Sequence, residues 1–259
     1  RVSSQTLIQP GEVVKFADNF GAAQVKIAVF QPGIFQGIGV VTDLDRCGLC
    51  LVDDAHLSGE LFDLSTASDY GSGAGEYYYW KESYDGPELV ISGAPNLTIR
   101  SAAESAEATT LAAIPRYANV LNFTSCDNLT LVGFTAGHTK EPGSCSGGVI
   151  LLDNCNDVLF ADMRLYGCGI LGIQASRCTS LHVLRTEIYE CSQGAGIFFQ
   201  TDGIAFENCD IHDVPNPALI FNECGDKTWN GEALTGLNSA YDVNADGALS
   251  EHPNVGSSQ

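Results

Sequence analysis

Cys155, Cys178, Thr201 and Cys224 stand 23 residues apart, and other positions keep the same step. Val158, Leu181 and Ile204 form a second column, and Phe160, Val183 and Phe206 a third. Leu152, Ala175, Phe198 and Phe221, and Leu165, Ile188 and Ile211, add two more. Cys126 joins the first column if a six-residue insertion around 141–146 is allowed. Several apolar columns in one register mark a solenoid, in which each repeat buries its inner side only against its neighbours.

The pattern within one repeat selects the type of solenoid. From Leu152 to Leu165, turn formers follow Leu152, Val158 alternates with Phe160, and Met163 alternates with Leu165. That is two or three short strands per winding, each with a period of two. Helical spacing fits poorly. The expected fold is therefore all-β, a single-stranded right-handed parallel β-helix with windings about 4.8 Å apart. An N-terminal cap segment is expected over 1–56 and the β-helix over 57–225. Inserted loops are expected at 66–86, 103–113 and 140–146, with an irregular C-terminal tail at 226–259. Lys227 occupies a position where an apolar residue would continue a column, so the tail is read as a cap starting near it.

Composition bounds the partners. The chain carries 32 acidic against 12 basic residues, a net charge of −20, which opposes binding to nucleic acid through a broad field. No run of about 18 apolar residues exists, so no membrane-spanning segment is expected. The start at Arg1 is compatible with a removed secretion signal or with a trimmed end. A secreted or cell-surface, bacterial setting and a monomer are expected. The cysteines on the inward column read as small buried thiols. Cys168 and Cys191 form a second stacked pair, and Cys145 bridges one of them if the geometry allows. Cys47 and Cys50 form a lone CxxC, which reads as a local disulfide or inert thiols. A metal or redox site from His138, Cys145, Cys168 and Cys191 is the weakest alternative.

The repeats Asn154–Phe160 and Arg177–Val183 resemble bacterial right-handed parallel β-helix repeat proteins, pectate-lyase-like in fold. Gly137-His138-Thr139, then Cys145 to Val149 and Leu165 to Gly169, resemble a secreted subgroup without an assigned activity. The resemblance covers about 57–225 and implies the fold. It implies no particular reaction, because the fold hosts lyases, hydrolases, epimerases and non-enzymes. The motifs of polygalacturonases, pectate lyases and epimerases of this fold are absent, so no catalytic role is carried over.

The period also shows which residues point outward. Arg164, Glu187 and Asp210 form one outer column, and Tyr166, Tyr189 and His212 the next. His138, Glu190 and Asp213 lie at the neighbouring bend. These residues suit a polysaccharide or cell-surface glycan. Tyr166 and Tyr189 would offer ring faces to sugars, with Arg164, His138 and Trp80 as further binding residues. If the protein is an enzyme of lyase or glycoside hydrolase type, Glu187, Asp210 and His212 are the candidate catalytic groups. Carboxyls on neighbouring windings, about 5 Å apart, fall within the range used for hydrolysis. The alternative is a non-catalytic structural or adhesion module, in which these columns are ordinary cross-strand pairs. No organic cofactor is expected. Calcium (Ca2+) is the one candidate ion, because 242–251 resembles an EF-hand-like loop. Asp242, Asn244, Asp246, Ala248 and Glu251 would be its ligands, with Gly247 at the sharp bend and Pro253 displacing the usual last acid.

Overall fold

A computed structural model describes residues 71–72, 74, 77–84, 86–100, 106–113, 118–138, 147–167 and 170–252, together with the backbone of 38–43, 48–53 and 60–63. Three largely parallel sheets of six, nine and seven strands wind into a right-handed β-helix. One winding consists of Ile150–Asp153 in the nine-stranded sheet, Asn156–Ala161 in the seven-stranded sheet and Arg164–Tyr166 in the six-stranded sheet. The next winding repeats it as Leu171–Ser176, Thr179–Leu184 and Glu187–Tyr189. Register follows the sequence columns: Leu152 faces Ala175, Val158 faces Leu181, Phe160 faces Val183, and Leu165 faces Ile188.

The tube is filled by these columns. Phe123, Phe160, Phe198, Phe206 and Phe221 are fully buried, as are Leu129, Leu131, Leu165 and Ile188. Each such side chain contributes about 1.5–3 kcal/mol by leaving water. Aromatic residues one winding apart stack inside the tube, Phe198 on Phe221 at 5.1 Å and Phe206 on Trp229 at 5.8 Å between ring centroids.

The cysteine column does more than fill space. At the bend between the nine- and seven-stranded sheets, Ser125, Asn154, Arg177, Gln200 and Glu223 all adopt φ between 47 and 55°. That left-handed backbone is unfavourable for side-chain-bearing residues. The next residue in each bend is Cys126, Cys155, Cys178, Thr201 or Cys224. Its thiol or hydroxyl donates to the carbonyl two residues back, as Cys178 does to Ser176 (3.3 Å) and Thr201 to Phe199 (3.0 Å). The same atom accepts the backbone N–H of the preceding winding. Cys155 N–H donates to Cys178 Sγ (3.5 Å), and Cys178 N–H to Thr201 Oγ1 (3.4 Å). The position therefore needs a small side chain that both donates and accepts, which is why threonine substitutes for cysteine there. Hydrogen bonding within the column shifts the pKa values of its thiols in opposite senses, lowering that of Cys126 through its bond with Cys155. Hydrogen bonding to Cys126, with burial, pushes Cys155 up to about 11, and hydrogen bonding to Cys155, with burial, pushes Cys178 up as well.

Several expectations about segments change. The range 103–113, read as a loop, contains a 3-10 turn, Ala106–Ala108, and the strand Thr109–Ala113, which pairs with Thr135–His138. The range 66–86 ends in Tyr78–Ser83, which pairs antiparallel with Gly86–Ser92 at one edge of the nine-stranded sheet. At the other end the ladder continues past 225, where a tail had been expected. Lys227–Trp229 extends the seven-stranded sheet, with Lys227 opposite Ile204 and Trp229 opposite Phe206. Lys227 is only 4% exposed. Its ammonium donates to the carbonyls of Cys224 (3.3 Å), Gly225 (3.0 Å) and Gly236 (2.8 Å) and lies 5.9 Å from the Phe221 ring centroid. It closes the end of the tube by satisfying backbone acceptors. Ser239–Val243 then pairs antiparallel with Leu219–Asn222, and Leu249–Glu251 pairs with Ser239–Val243.

Candidate functional site

Three outward residues of the six-stranded sheet make a continuous ladder on consecutive windings. Tyr166 stacks on Tyr189 with centroids 5.7 Å apart and planes at 20°. Tyr189 stacks on His212 at 5.3 Å and 10°. Gly137 is the position on the winding before Tyr166. A Cβ there would fall 2.5 Å from the Tyr166 ring, so the glycine forms the floor on which that ring lies. The tyrosine faces expected to meet sugars are thus turned on each other, on Gly137 and on His212. Ring edges and hydroxyls, not faces, are left to a ligand.

A charged row runs beside the ladder. Arg164 Nε donates to Glu187 Oε2, and its NH1 lies 3.2 Å from Glu107 Oε1. The Arg164 guanidinium also lies over the Tyr189 ring, 5.3 Å from its centroid. His212 Nε2 is 3.1 Å from Glu187 Oε1, and its Nδ1 is 2.8 Å from Asp213 Oδ2. When the ring is protonated, each nitrogen donates to one of these carboxylates, so the pair favours the imidazolium form. Asp213 first, then Glu187, raises the His212 pKa against partial burial. Burial pushes Glu187 upward, but the hydrogen bonds from Arg164 and His212 outweigh it and hold the carboxyl below its ordinary value. Asp210 lies next to Glu187 across the sheet and is exposed.

The structure thus brings Arg164, Tyr166, Glu187, Tyr189, Asp210 and His212 onto one face. It does not bring His138 there as a binding group. His138 is completely buried, and its Nε2 donates to the Ala118 carbonyl (2.8 Å). Trp80 belongs to the hairpin at the edge of the nine-stranded sheet, where it packs against the core. Glu107 and Gly137 were not identified as members of this face from the sequence. Gly137 carried a signal, since it occupies a tyrosine position of the ladder. Glu107 carried none, because it lies in an interruption of the repeat.

The segment 242–251 lies within a β-hairpin. Asp242 pairs with Ser250, and Glu251 pairs with Tyr241. Asp246 Oδ1 accepts the Ala248 N–H (3.1 Å), an Asx-type turn. Among the described residues no three His, Cys, Asp or Glu side chains converge as a metal site. Cys191 is buried and donates to the Tyr189 carbonyl (3.4 Å), while Cys47, Cys145 and Cys168 lie outside the described residues. No helix among the described residues is long and apolar enough to cross a membrane.

No protein-family model matches the chain, and no curated protein matches it. Among solved structures, the chain is similar to a crystal structure of a candidate glycosyl hydrolase from Parabacteroides merdae. The match has 14% identity and a TM-score of 0.41, and covers 60% of this chain and 82% of that one. A likeness at that level carries no argument about activity.

Proposed function

We propose that the outer face of the six-stranded sheet is the carbohydrate-binding surface of a secreted or cell-surface protein, and that it binds glycan without cutting it. The observation that carries this reading is the ladder of Tyr166, Tyr189 and His212. Its steps of 5.7 and 5.3 Å are close to the rise of one sugar unit in an extended glycan. A linear polymer with that repeat meets one ring of the ladder on each successive winding. Tyrosine hydroxyls, the Arg164 guanidinium and the carboxylates beside them are the hydrogen-bonding groups available to sugar hydroxyls.

The pairing of the charged groups supports binding over reaction. A general acid or base must be able to give or take a proton near the working pH. Glu187 is held ionised by two donors, and both nitrogens of His212 are engaged by carboxylates. Each would have to abandon these partners before acting on a substrate. Asp213 and Glu107 are likewise engaged, with His212 and Arg164.

A glycan array, followed by assays for new reducing ends and unsaturated products, tests the proposal. Binding to a linear glycan with no product release is the expected outcome. Product release that is lost in Glu187→Gln would contradict the non-catalytic reading. Failure to bind any glycan would favour a purely structural or adhesion module.

A further inference from the structure

The hairpin edge of the nine-stranded sheet gathers an amine, a carboxylate and two carboxamides on its outer side. In Gly86–Ser92, Leu89 and Ile91 enter the core, so Glu88 points out of the tube. Glu88 is nevertheless only 3% exposed. Its Oε1 accepts from two donors, Lys81 Nζ and Asn122 Nδ2, each at 3.1 Å. Its Oε2 accepts from Asn119 Nδ2 at 2.8 Å. Lys81 faces Glu88 across the antiparallel hairpin, and Asn122 comes from the next strand, Leu121–Thr124, where it is buried. In the ion pairs of the other outer faces, by contrast, the carboxylates are 27% exposed or more. An ion pair kept for stability gains little from such burial, because desolvating the carboxylate offsets the Coulomb attraction.

We infer that Lys81 Nζ and Asn122 Cγ become joined by an amide bond, with Glu88 as the catalytic carboxylate. An amine and a carboxamide nitrogen held on one oxygen atom are two hydrogen-bond lengths apart at most, so the encounter is already made. Asn119 sits on the other oxygen and is the positioning residue: its Oδ1 accepts the Gly148 N–H (2.9 Å), which anchors it against Glu88. Glu88 takes a proton from the Lys81 ammonium, and the neutral amine adds to Asn122 Cγ. The Asn122 carbonyl oxygen accepts the Thr124 hydroxyl (3.4 Å), which favours the negative charge that develops there during addition. Glu88 passes its proton to Nδ2 and takes the second proton from Nζ as the Cγ–Nδ2 bond breaks. Ammonia leaves, carrying that last proton away as ammonium, and Glu88 is again ionised. One C–N bond forms, one breaks, and nothing is oxidised or reduced. The product ties Tyr78–Ser83, the edge strand of the sheet, to Leu121–Thr124, two strands further in. Terminal strands of a solenoid have a neighbour on one side only, and this bond staples one of them.

Mass spectrometry of the full chain, purified after folding, tests this. The intact mass should fall short of the sequence by one ammonia. A tryptic digest should leave the peptide bond after Lys81 uncut and yield a branched peptide in which Lys81 Nζ is joined to Asn122. Lys81→Arg keeps a cation beside Glu88 but has no primary amine, so it should show its full mass and only linear peptides. Glu88→Gln, with its fold checked by circular dichroism, should also lack the branched peptide. If that variant does not fold, the parent chain and Lys81→Arg decide alone. A parent chain at full mass, with Lys81 and Asn122 on separate peptides, would overturn the inference. So would undiminished branching in folded Glu88→Gln, or a mass deficit that persists in Lys81→Arg. A link from Lys81 to Asn119 would overturn the choice of acceptor. None of these outcomes bears on glycan binding.

Discussion

At the scale of single residues, the chain uses ordinary side chains as backbone partners. Cys178 is the clearest case, since its thiol both donates to Ser176 and accepts from Cys155 N–H. Cys178→Ser keeps both roles and should unfold close to the parent in chemical denaturation. Cys178→Val keeps the volume but leaves a buried N–H and carbonyl without that partner, and should lose about 1–3 kcal/mol. Equal stability of the two variants would show that the column acts only by packing. His212 makes a pH-dependent contribution. Its pKa is raised in the folded state, so the stabilisation is complete below about 6.5 and is lost as pH rises through the raised value. Glu187 works in the opposite sense, adding stability above about 4.3 that is lost as pH falls through its lowered value. Both contributions are present together between those limits. An NMR titration of the His212 ring should give a pKa above the ordinary value, and Asp213→Asn should lower it. With His212 40% exposed, solvent keeps the energetic effect small. The column of small residues was legible in the sequence as a periodic feature, but its hydrogen bonding was not. Period reveals which residues are neighbours, and not what their polar atoms do.

At the scale of elements, the windings closest to ideal were the most legible. Between Leu152 and Phe221 a residue and its counterpart 23 positions on occupy neighbouring strands, so the spacing reports contact directly. Irregular windings hid their strands, as Thr109–Ala113 shows, because insertions break the spacing without breaking the ladder. The C-terminal end misled for another reason. Trp229 keeps the step from Phe206, but the charge of Lys227 suggested that the column had ended. Buried lysine is tolerated there because three carbonyls at the tube's end accept hydrogen bonds from its ammonium. Lys227→Leu therefore restores an apolar column yet should destabilise the last winding, by about 1–3 kcal/mol. Hydrogen exchange should show the loss first in Lys227–Trp229 and Ser239–Val243. A variant more stable than the parent would mean that the column wants an apolar residue and that the carbonyls find other partners. The direction of the ring planes in Tyr166 and Tyr189 was equally hidden, since side-chain torsions leave no trace in a periodic pattern.

At the scale of the whole molecule, the β-helix offers three long outer faces, and the proposed function commits to one of them. The six-stranded face carries the stacked rings with Arg164, Glu187 and His212 beside them, while the neighbouring sheets carry the pairs Arg177–Asp153 and Arg185–Asp162. A linear ligand and a stacked protein share translational repetition, and this is the physical basis of the proposal. The most direct measurement is NMR shift mapping of the intact chain during titration with an extended glycan that the array identifies. The account predicts saturable shifts centred on Arg164–Tyr166, Glu187–Tyr189 and Asp210–His212, with the seven- and nine-stranded sheets unmoved. Saturable shifts centred on either of those other sheets would contradict it.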